Sequence, residues 1–286
     1  MHNIFIVMII LLIVIFISYI EQKLLVTTKH IIASKKIPIE MDGISFVVLS
    51  DLHNNSYGDK NRRLIKAIEK TSPNFIVIAG DMITKRDSCV PSVGLSLVES
   101  LADKYQIYYT NGNHEQGIEL NENNTSYIEF KQRLMKKGVI FLNNDSITLT
   151  KQNQGLRITG VDIDREFFKR KNNTLMAKGY LDTLIEKGKD TDFQILIAHN
   201  PIYFKEYMEW GADLTLSGHI HGGVVRLPIF GGVISRQFMF FPKYDAGLFK
   251  ENGKEMIISR GLGTHSIKFR LFNRPELIDI KLKRIS

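Results

Sequence analysis

The chain has 286 residues, of which 44% are hydrophobic and 24% are charged, a mixture typical of a globular protein of one large or two small domains. Its only cysteine is Cys89, which excludes an internal disulfide and a cysteine-based metal site. The formal net charge of +8 fits a lysine-rich surface, and it also allows attraction to the phosphates of nucleic acid or of an anionic membrane.

The N-terminal segment, residues 4–20, is almost wholly apolar, and only Ser18 and Tyr19 interrupt it near its end. Its length approaches that needed to cross a hydrocarbon core, and it lacks the polar face of a helix that packs on a core. A cleavable signal peptide would carry a Lys or Arg before the apolar stretch and small residues after it, and this segment has neither. We therefore predict a single-pass anchor in the cell membrane over residues 1–21.

Basic residues follow the predicted anchor, and none precedes it. Lys23, Lys29, Lys35 and Lys36 lie in residues 22–43, which we expect to form a connector between the anchor and the domain. The positive-inside rule then favours a cytoplasmic domain, although single N-terminal anchors do not always obey it, so the membrane side stays open. The same lysines are able to contact anionic lipid headgroups.

Residues 44–286 are predicted to form one α/β domain, because apolar, β-branched segments of the buried-strand type alternate with amphipathic helical patterns. Strands are predicted at residues 44–50, 75–79, 106–110, 139–142, 146–151, 155–161, 193–198 and 213–217. Helices are predicted around residues 64–68, 93–104, 127–137, 181–187 and 203–210. After residue 221 the chain is expected to be all-β, with turns at residues 231–232, 252–253 and 261–263.

Side chains suited to metal binding directly follow several of these strands. They are Asp51, His53, Asp81, Asn113, His199, His219 and His221. In α/β sheets ligands gather at the carboxyl ends of the strands, so these groups are expected to converge on one edge. In an extended chain residues i and i+2 project to the same face, which pairs Asp51 with His53 and His219 with His221.

This set of two carboxylates, one amide oxygen and four imidazoles suits a pair of borderline divalent ions, Mn²⁺, Fe or Zn²⁺, and not an all-oxygen Ca²⁺ site. A carboxylate between two such ions can bridge them at the spacing that clamps a phosphoryl group. Each residue alone also has a structural explanation, since an aspartate can cap a turn or a helix and His199 can be a packed histidine. Their joint occurrence at the ends of strands favours the metal site.

Five short motifs, in this order, resemble the signature of the calcineurin-like metallophosphoesterases. They are Asp51-Leu52-His53, Gly80-Asp81, Gly112-Asn113-His114-Glu115, Ala198-His199 and Gly218-His219-Ile220-His221. Three further motifs are similar to those of the bacterial branch that carries an N-terminal membrane anchor or export signal. They are Gly160-Val161-Asp162, Ser259-Arg260-Gly261-Leu262-Gly263 and Asn273-Arg274-Pro275-Glu276. The resemblance covers the chain from residue 44 to the C-terminus.

The resemblance implies a four-layer α/β/β/α sandwich with a dinuclear metal site at its sheet edges and Asp81 as the bridging ligand. The implied ligand sets are Asp51, His53, Asp81 and His221 for one ion and Asp81, Asn113, His199 and His219 for the other. His114 would be the catalytic residue that contacts the phosphate and assists the leaving group. Val224 stands where the branch often has glutamine, which leaves the substrate contacts beyond the metals in doubt.

Three other residues are weaker candidates for the site. Glu115 could orient His114, or it could be a solvated turn residue. Arg260 or Arg270 could hold a phosphate bidentately, although either one alone is more typical of a surface strand arginine.

The leading interpretation is a membrane-anchored hydrolase of phosphoester or pyrophosphate bonds. The branch that the chain resembles includes enzymes that cleave the pyrophosphate of UDP-2,3-diacylglucosamine in lipid A synthesis, which suggests a lipid-linked or envelope precursor as the substrate. The charge of +8 also allows a nucleotide or nucleic-acid phosphodiesterase, but the sequence has no basic stripe interleaved with aromatic residues. A non-catalytic, membrane-tethered metal-binding scaffold would be favoured by a missing metal ligand, and none is missing.

Overall fold

The chain was analysed as a computed structural model that describes residues 2–85, 92–121, 125–151, 154–169, 174–227, 231–234, 240–264 and 268–286. Cys89 lies outside the described residues. The α-helices within these residues are α1 (His2–Glu21), α2 (Arg62–Thr71), α3 (Ser92–Ala102), α4 (Asn113–Glu119), α5 (Ser126–Lys136), α6 (Tyr180–Leu184) and α7 (Phe204–Trp210). Short 3₁₀ helices lie at Ile39–Met41, Asp59–Asn61, Arg165–Phe168 and Pro201–Tyr203.

The strands in the same part of the chain lie close to most of the predicted segments. They are β1 (Val26–Ser34), β2 (Ser45–Leu49), β3 (Phe75–Ala79), β4 (Gln106–Thr110), β5 (Ile140–Phe141), β6 (Asp145–Lys151), β7 (Gln154–Val161), β8 (Phe193–Ala198), β9 (Leu214–Ser217), β10 (Val225–Leu227), β11 (Gly231–Ile234), β12 (Gly247–Glu251), β13 (Lys254–Ile258) and β14 (Glu276–Arg284).

Within the described residues these strands form two six-stranded sheets and a two-stranded ribbon of β10 and β11. The first sheet has the order β1-β14-β2-β3-β4-β5, and its strands β2 to β5 run parallel. The second has the order β12-β13-β9-β8-β7-β6, and its strands β13, β9, β8 and β7 run parallel. Because parallel strands end at the same edge, the loops after β2, β3 and β4 lie together, as do those after β8 and β9.

The two sheets pack face to face, and helices cover their outer faces. In the core between the sheets, Phe46 and Val77 of the first sheet belong to the same apolar cluster as Ile195 and Leu216 of the second. Helices α2 to α5 pack on the outer face of the first sheet, and α6 and α7 on the outer face of the second. This is a four-layer α/β/β/α arrangement, so the fold prediction is confirmed.

The segment 22–43 is not the connector that the sequence suggested. Its residues Val26–Ser34 form β1, which pairs in parallel with β14 along its whole length. The strand escaped prediction because it is an edge strand whose exposure alternates, and only Ile32 in it is buried, so it has no continuous apolar segment. Lys36, one of the connector lysines, forms an ion pair of 3.2 Å with Asp213 of the domain.

One further expectation differs in detail from the structure. The Asn252-Gly253 turn closes the β12–β13 hairpin as expected, whereas Gly231 and Gly232 lie inside β11. The other predicted elements lie close to the observed ones because their apolar periodicity reports directly which face is buried.

Helix α1 is set apart from the packed layers over most of its length. Its apolar side chains are largely exposed, and only 6% of the apolar stretch of this helix is buried in the protein. By length and composition alone, α1 is able to cross a membrane.

Candidate dinuclear metal centre

The loops that leave the first sheet after β2, β3 and β4 meet the loops that leave the second sheet after β8 and β9. These loops carry all the predicted ligands, which are buried or half-buried: Asp51, His53, Asp81, Asn113, His199, His219 and His221. The two strand edges therefore build one site, as the position of these residues at strand ends predicted.

One group of possible ligand atoms comes from Asp51, His53 and His221, whose ligand atoms lie within 4.8 Å of one another. Nε2 of His221 is 3.2 Å from Oδ1 of Asp51 and 3.2 Å from Nε2 of His53. Two imidazole nitrogens and a carboxylate oxygen that converge at such distances are a donor set for a transition-metal ion.

A second group comes from Asp81, His199 and His219, again with ligand atoms within 4.8 Å of one another. Nε2 of His199 lies 3.1 Å from Oδ2 of Asp81. The neighbouring Asn113 contributes a buried side-chain oxygen, Oδ1, to which no described residue donates a hydrogen bond. An amide oxygen that is buried without a hydrogen-bond donor destabilises the folded state unless a cation or another polar group binds to it. Asn113 is therefore suited to be a ligand in this group.

Asp81 reaches both groups. Its Oδ2 atom lies 3.8 Å from Nε2 of His53 in the first group and 3.1 Å from Nε2 of His199 in the second. Its other oxygen, Oδ1, accepts a 2.9 Å hydrogen bond from the backbone N–H of His114, which fixes the carboxylate in place. The carboxylate is therefore placed where a bridging ligand between two ions would stand.

The backbone at these loops is unusual. Asp51, His53, Asp81, His219 and His221 all have positive φ angles, between 48° and 69°. Non-glycine residues adopt this region rarely, and they concentrate at functional sites where the surrounding structure imposes it. The extended i, i+2 geometry expected for His219 and His221 is therefore wrong, and the two imidazoles belong to different groups.

Hydrogen bonds at Nδ1 decide what two of the histidines present to the site. Nδ1 of His199 donates to the backbone carbonyl of Ala79 at 2.7 Å, and Nδ1 of His221 donates to that of Gly263 at 3.2 Å. With the proton on Nδ1, the neutral ring presents the Nε2 lone pair to the interior of the site. This is the tautomer that a metal ligand requires.

His114 has the opposite arrangement. Its Nδ1 accepts a 2.9 Å hydrogen bond from the backbone N–H of Lys85, so its neutral ring carries the proton on Nε2. That atom lies 3.9 Å from Oδ2 of Asp81. Although His114 lies near enough to His53 and Asp81 to form a third possible ligand group, it presents an N–H donor rather than a lone pair.

The two buried carboxylates of the site, Asp51 and Asp81, and the imidazoles around them shift one another's pKa values. Burial alone would raise the pKa of Asp51 and Asp81, but the surrounding imidazoles outweigh it and hold the pKa of both carboxyls below the ordinary value. Burial likewise opposes the charged form of His199, but Asp81 and Asp51 raise the pKa of its imidazole to about 10. Burial and His199 lower the pKa of His219 to about 3. A divalent ion would displace the proton of His199 and leave neutral imidazole ligands.

Glu115 is not a solvated turn residue. It is fully buried and accepts hydrogen bonds from the hydroxyl of Tyr109, at 2.9 Å, and from the backbone N–H groups of Asp81, Met82, Ile83 and Gly112, at 2.8–3.4 Å. The backbone donors belong to the loops after β3 and β4, and Tyr109 lies in β4 itself. Glu115 therefore fastens together the two loops that carry Asp81 and Asn113.

Replacing Glu115 with glutamine is expected to loosen this junction, because the amide NH₂ would face backbone N–H donors. We expect a loss of about 1–3 kcal/mol in the free energy of unfolding, the usual cost of unpaired buried polar groups. Metal affinity is expected to fall about 10–100-fold, as for other groups that orient ligands. Urea denaturation and metal titration measure the two effects, and Glu129→Gln on the exposed face of α5 is the control. Equal behaviour of both variants would contradict this role.

Arg270 and Arg260 do not offer free guanidinium groups to a phosphate. Arg270 is 1% exposed and donates to the backbone carbonyls of Arg260, Gly261, Gly263 and Asn273 at 2.7–3.2 Å. Arg260 pairs with Glu276 at 2.9 Å. Both arginines therefore hold the loop at residues 260–263, whose Gly263 carbonyl orients His221.

Phe168 is a residue of the site that the sequence did not reveal. Its ring centroid lies 5.2 Å from that of His219 and 6.2 Å from that of His199. It stands in a polar segment with no apolar periodicity, so no pattern in the sequence singled it out. The ring forms an apolar wall beside the second ligand group.

A sandwich of two mixed sheets with two groups of carboxylate and imidazole ligands at the strand ends defines the class of metal-dependent hydrolases with a dinuclear centre. The sequence model of the calcineurin-like phosphoesterase family matches residues 44–223, and the chain belongs to this family. It is therefore a phosphoester hydrolase whose cofactor is a pair of divalent metal ions.

Relatives cover most of the chain at low identity. The chain is 25% identical over 268 residues to the uncharacterized metallophosphoesterase YkuE of Bacillus subtilis, across 93% of this chain and 88% of the relative. It is 29% identical over 272 residues to an uncharacterized metallophosphoesterase of Aquifex aeolicus, across 93% and 95% of the two chains. It is 24% identical over 261 residues to a transmembrane protein with metallophosphoesterase domain of Danio rerio, across 87% of this chain and 55% of the relative.

Proposed function

We propose that this protein is a membrane-anchored hydrolase that cleaves a phosphodiester or pyrophosphate bond in a lipid-linked substrate. Helix α1 supports the anchoring, because its length and composition allow it to cross a membrane. The relative from Danio rerio, which is named a transmembrane protein, supports it as well. An anchor of this kind would keep the metal centre close to phosphates that lie in the plane of the membrane.

We assign the metal ligands as two sets that share Asp81. They are Asp51, His53, Asp81 and His221 for the first ion and Asp81, Asn113, His199 and His219 for the second. When bound, the two ions would supply a water nucleophile of lowered pKa and neutralise charge on the phosphoryl oxygens. The chain itself contributes the orientation of the ligand atoms, through the backbone carbonyls of Ala79 and Gly263 and the carboxylate of Glu115.

The observation that carries the catalytic proposal is the opposite tautomer of His114 within a cluster of metal-ligating imidazoles. Its Nε2–H group faces the site and can donate to a phosphoryl oxygen or to the departing oxygen of the substrate. A purely structural metal site would need no such donor. His114 is therefore assigned as the catalytic residue.

The test is a hydrolysis screen of the full chain in detergent, loaded separately with Mn²⁺, Fe²⁺ or Zn²⁺. The substrates are p-nitrophenyl phosphate, bis-p-nitrophenyl phosphate, a short oligonucleotide and a lipid-linked pyrophosphate. We expect kcat/KM for the lipid-linked substrate to exceed that for the soluble diester by at least about tenfold, because binding of the lipid part adds about 1.4 kcal/mol or more of transition-state stabilisation.

Two outcomes would contradict the proposal. A fully metal-loaded chain that cleaves none of these substrates would be a metal-binding scaffold. Cleavage of the oligonucleotide in preference to the lipid-linked substrate, with a steep loss of activity as salt rises, would identify a nucleic-acid phosphodiesterase instead.

A further inference from the structure

The last turn of α1 is docked on the catalytic domain rather than free of it. Ser18 and Glu21 are only 2% and 7% exposed, in contrast to the apolar residues before them. The hydroxyl of Ser18 accepts a 3.0 Å hydrogen bond from the backbone N–H of Arg270, and Gln22 donates to the carbonyl of Lys268 at 3.2 Å. Glu21 lies 3.8 Å from the guanidinium of Arg274. The domain segment 268–274 is thus fixed against the end of the helix.

This contact sets the height of the domain relative to any bilayer that α1 crosses. Ser18 precedes Glu21 by three residues, which is about 4.5 Å along a helix axis. Tyr19, a residue type that favours the membrane interface, lies in the same turn, and the ammonium of Lys23 lies 3.9 Å from the centre of its ring. Arg270, which contacts Ser18 through its backbone, therefore lies at the level of the interface.

Four exposed apolar side chains lie next to this docked segment, and we call them the aromatic face: Leu227, Phe240, Phe241 and Phe272. Their side chains are 41%, 71%, 59% and 56% exposed, respectively. A cluster of exposed aromatic residues is uncommon on a protein surface that contacts only water.

Backbone pairing holds the aromatic face together. Leu271, the neighbour of Phe272, pairs with Val225 of β10, which also carries Leu227. The backbone N–H of Phe241 donates to the carbonyl of Val233 in β11 at 2.9 Å. Leu227 and Phe272 line one groove beside Pro242. The four residues therefore lie on neighbouring backbone segments, beside the domain segment that α1 contacts.

Basic side chains border the same surface. Lys23 follows α1 directly, Lys268 is exposed, and the side chain of Arg274 is 50% exposed. Exposed aromatic rings with basic neighbours are the combination that binds the headgroup region of an anionic bilayer.

We propose that the aromatic face rests in the interfacial layer of the bilayer that α1 crosses. This inference rests on the anchoring in the proposed function. It adds a second membrane contact, made by the catalytic domain itself beside the segment that the anchor contacts. The occupant of the face is lipid rather than a second copy of the chain, because the docked helix already places segment 268–274 at the membrane surface.

The same segment connects the membrane contact to the metal centre. The side-chain amide of Asn273 donates to the carbonyls of His221 and Gly223 at 2.8 and 2.6 Å. The loop that carries His221 then runs directly into β10 of the aromatic face. A domain seated on the bilayer in this way would hold the loop of His221 close to the headgroup layer.

The experiment places a tryptophan on the face of the full chain, reconstituted in vesicles of phosphatidylethanolamine and phosphatidylglycerol with a brominated phosphatidylcholine as quencher. The variants are Phe240→Trp and Phe272→Trp, which keep an aromatic ring at an exposed position. The control is Ile128→Trp on α5, where the parent side chain is 52% exposed. Fluorescence of the parent chain, whose single Trp210 is buried, is subtracted.

We expect the tryptophans introduced at residues 240 and 272 to be quenched at least about twofold more strongly by the brominated lipid than the control, as for side chains in the interface. Equal and weak quenching at all three positions would overturn the proposal. Weak quenching by lipid together with protection from aqueous acrylamide would also overturn it, in favour of a second copy of the chain on the face.

Two measurements on the same vesicles separate this inference from the proposed function. Flotation after an alkaline wash reports the anchor, and hydrolysis of bis-p-nitrophenyl phosphate reports the catalytic centre. A chain that floats and is quenched as expected, but hydrolyses neither the diester nor any other substrate of the screen, supports the membrane contact and refutes the proposed catalytic function. A chain that hydrolyses the diester but does not float refutes the anchor and the aromatic-face contact together.

Discussion

Asp81→Ala is expected to empty both metal positions. Its carboxylate reaches both ligand clusters, at 3.8 Å from His53 and 3.1 Å from His199. Its loss would leave each ion one ligand short and remove half of the buried negative charge that Asp51 and Asp81 provide. Turnover is expected to fall by at least about 10³-fold, because metal-ion charge stabilisation is worth several kcal/mol. Elemental analysis of the purified chain after dialysis measures the metal content directly.

The matched control is Asn113→Ala, which removes a ligand that we assign to the second ion only. This variant is expected to keep the first ion and lose the second, so the two substitutions differ in stoichiometry and not merely in activity. Far-ultraviolet circular dichroism checks that both variants keep their secondary structure. An Asp81→Ala chain with the full metal content of the parent would contradict the bridging role, and so would loss of both ions from Asn113→Ala.

The strand ends were predictable because two local signals coincide there. An apolar, β-branched segment such as residues 75–79 marks a strand buried on both faces, and the polar residue that follows, Asp81, marks its end. Parallel strands must end at one edge, so such residues can be brought together without knowledge of the packing. This reasoning explains why the convergence of the site residues could be predicted from the chain, whereas the two-sheet architecture was implied only by the resemblance to a known family.

Features that depend on distant partners were beyond this reasoning. The sequence of β1 is typical of a polar connector, and it forms a strand because it pairs with β14, which comes from the far end of the chain. Arg270 looks like a surface arginine, yet it is buried and its guanidinium donates to backbone carbonyls around residues 260–263. The donors that surround Glu115 come mostly from a loop more than thirty residues away in sequence. Periodicity reports which face of an element is buried but not which element covers it.

The sorting of the ligands between two ions was also outside local rules. Extended geometry would have turned His219 and His221 to one face, whereas their φ angles of 69° and 56° separate them. Only the resemblance to a known family implied this division. Tertiary contacts impose these positive φ angles, so they cannot be predicted from the pattern of residue types.

His114→Ala is expected to bind metal as the parent does and to lose most of its turnover. The imidazole is not placed as a ligand, because its Nδ1 accepts the backbone N–H of Lys85 and its Nε2 carries the proton. Removing a positioned proton or hydrogen-bond donor costs about 10²–10⁴-fold in rate. The measurement is kcat for bis-p-nitrophenyl phosphate and for an alkyl phosphodiester, together with metal content, and His30→Ala in β1, a histidine of the first sheet outside the site, is the control. Unchanged turnover of both esters at equal metal content would remove His114 from the mechanism.

The dependence of the rate loss on the leaving group distinguishes two possible roles of His114. If its Nε2–H protonates the departing oxygen, the loss in His114→Ala will be much larger for an alkyl ester than for a p-nitrophenyl ester, whose leaving group needs no proton. If it instead donates to a phosphoryl oxygen, the loss will be the same for both esters. Burial, which outweighs the opposing effect of Asp81, lowers the pKa of the His114 imidazole, so the neutral ring with its Nε2–H persists at and above neutral pH as a hydrogen-bond donor. Transfer of a proton to the departing oxygen requires the imidazolium, because the neutral ring would be left as an imidazolate anion. Because that donor is already in place, we expect His114→Gln, whose amide also offers an N–H, to recover part of the activity if His114 only donates a hydrogen bond, and none if it transfers a proton.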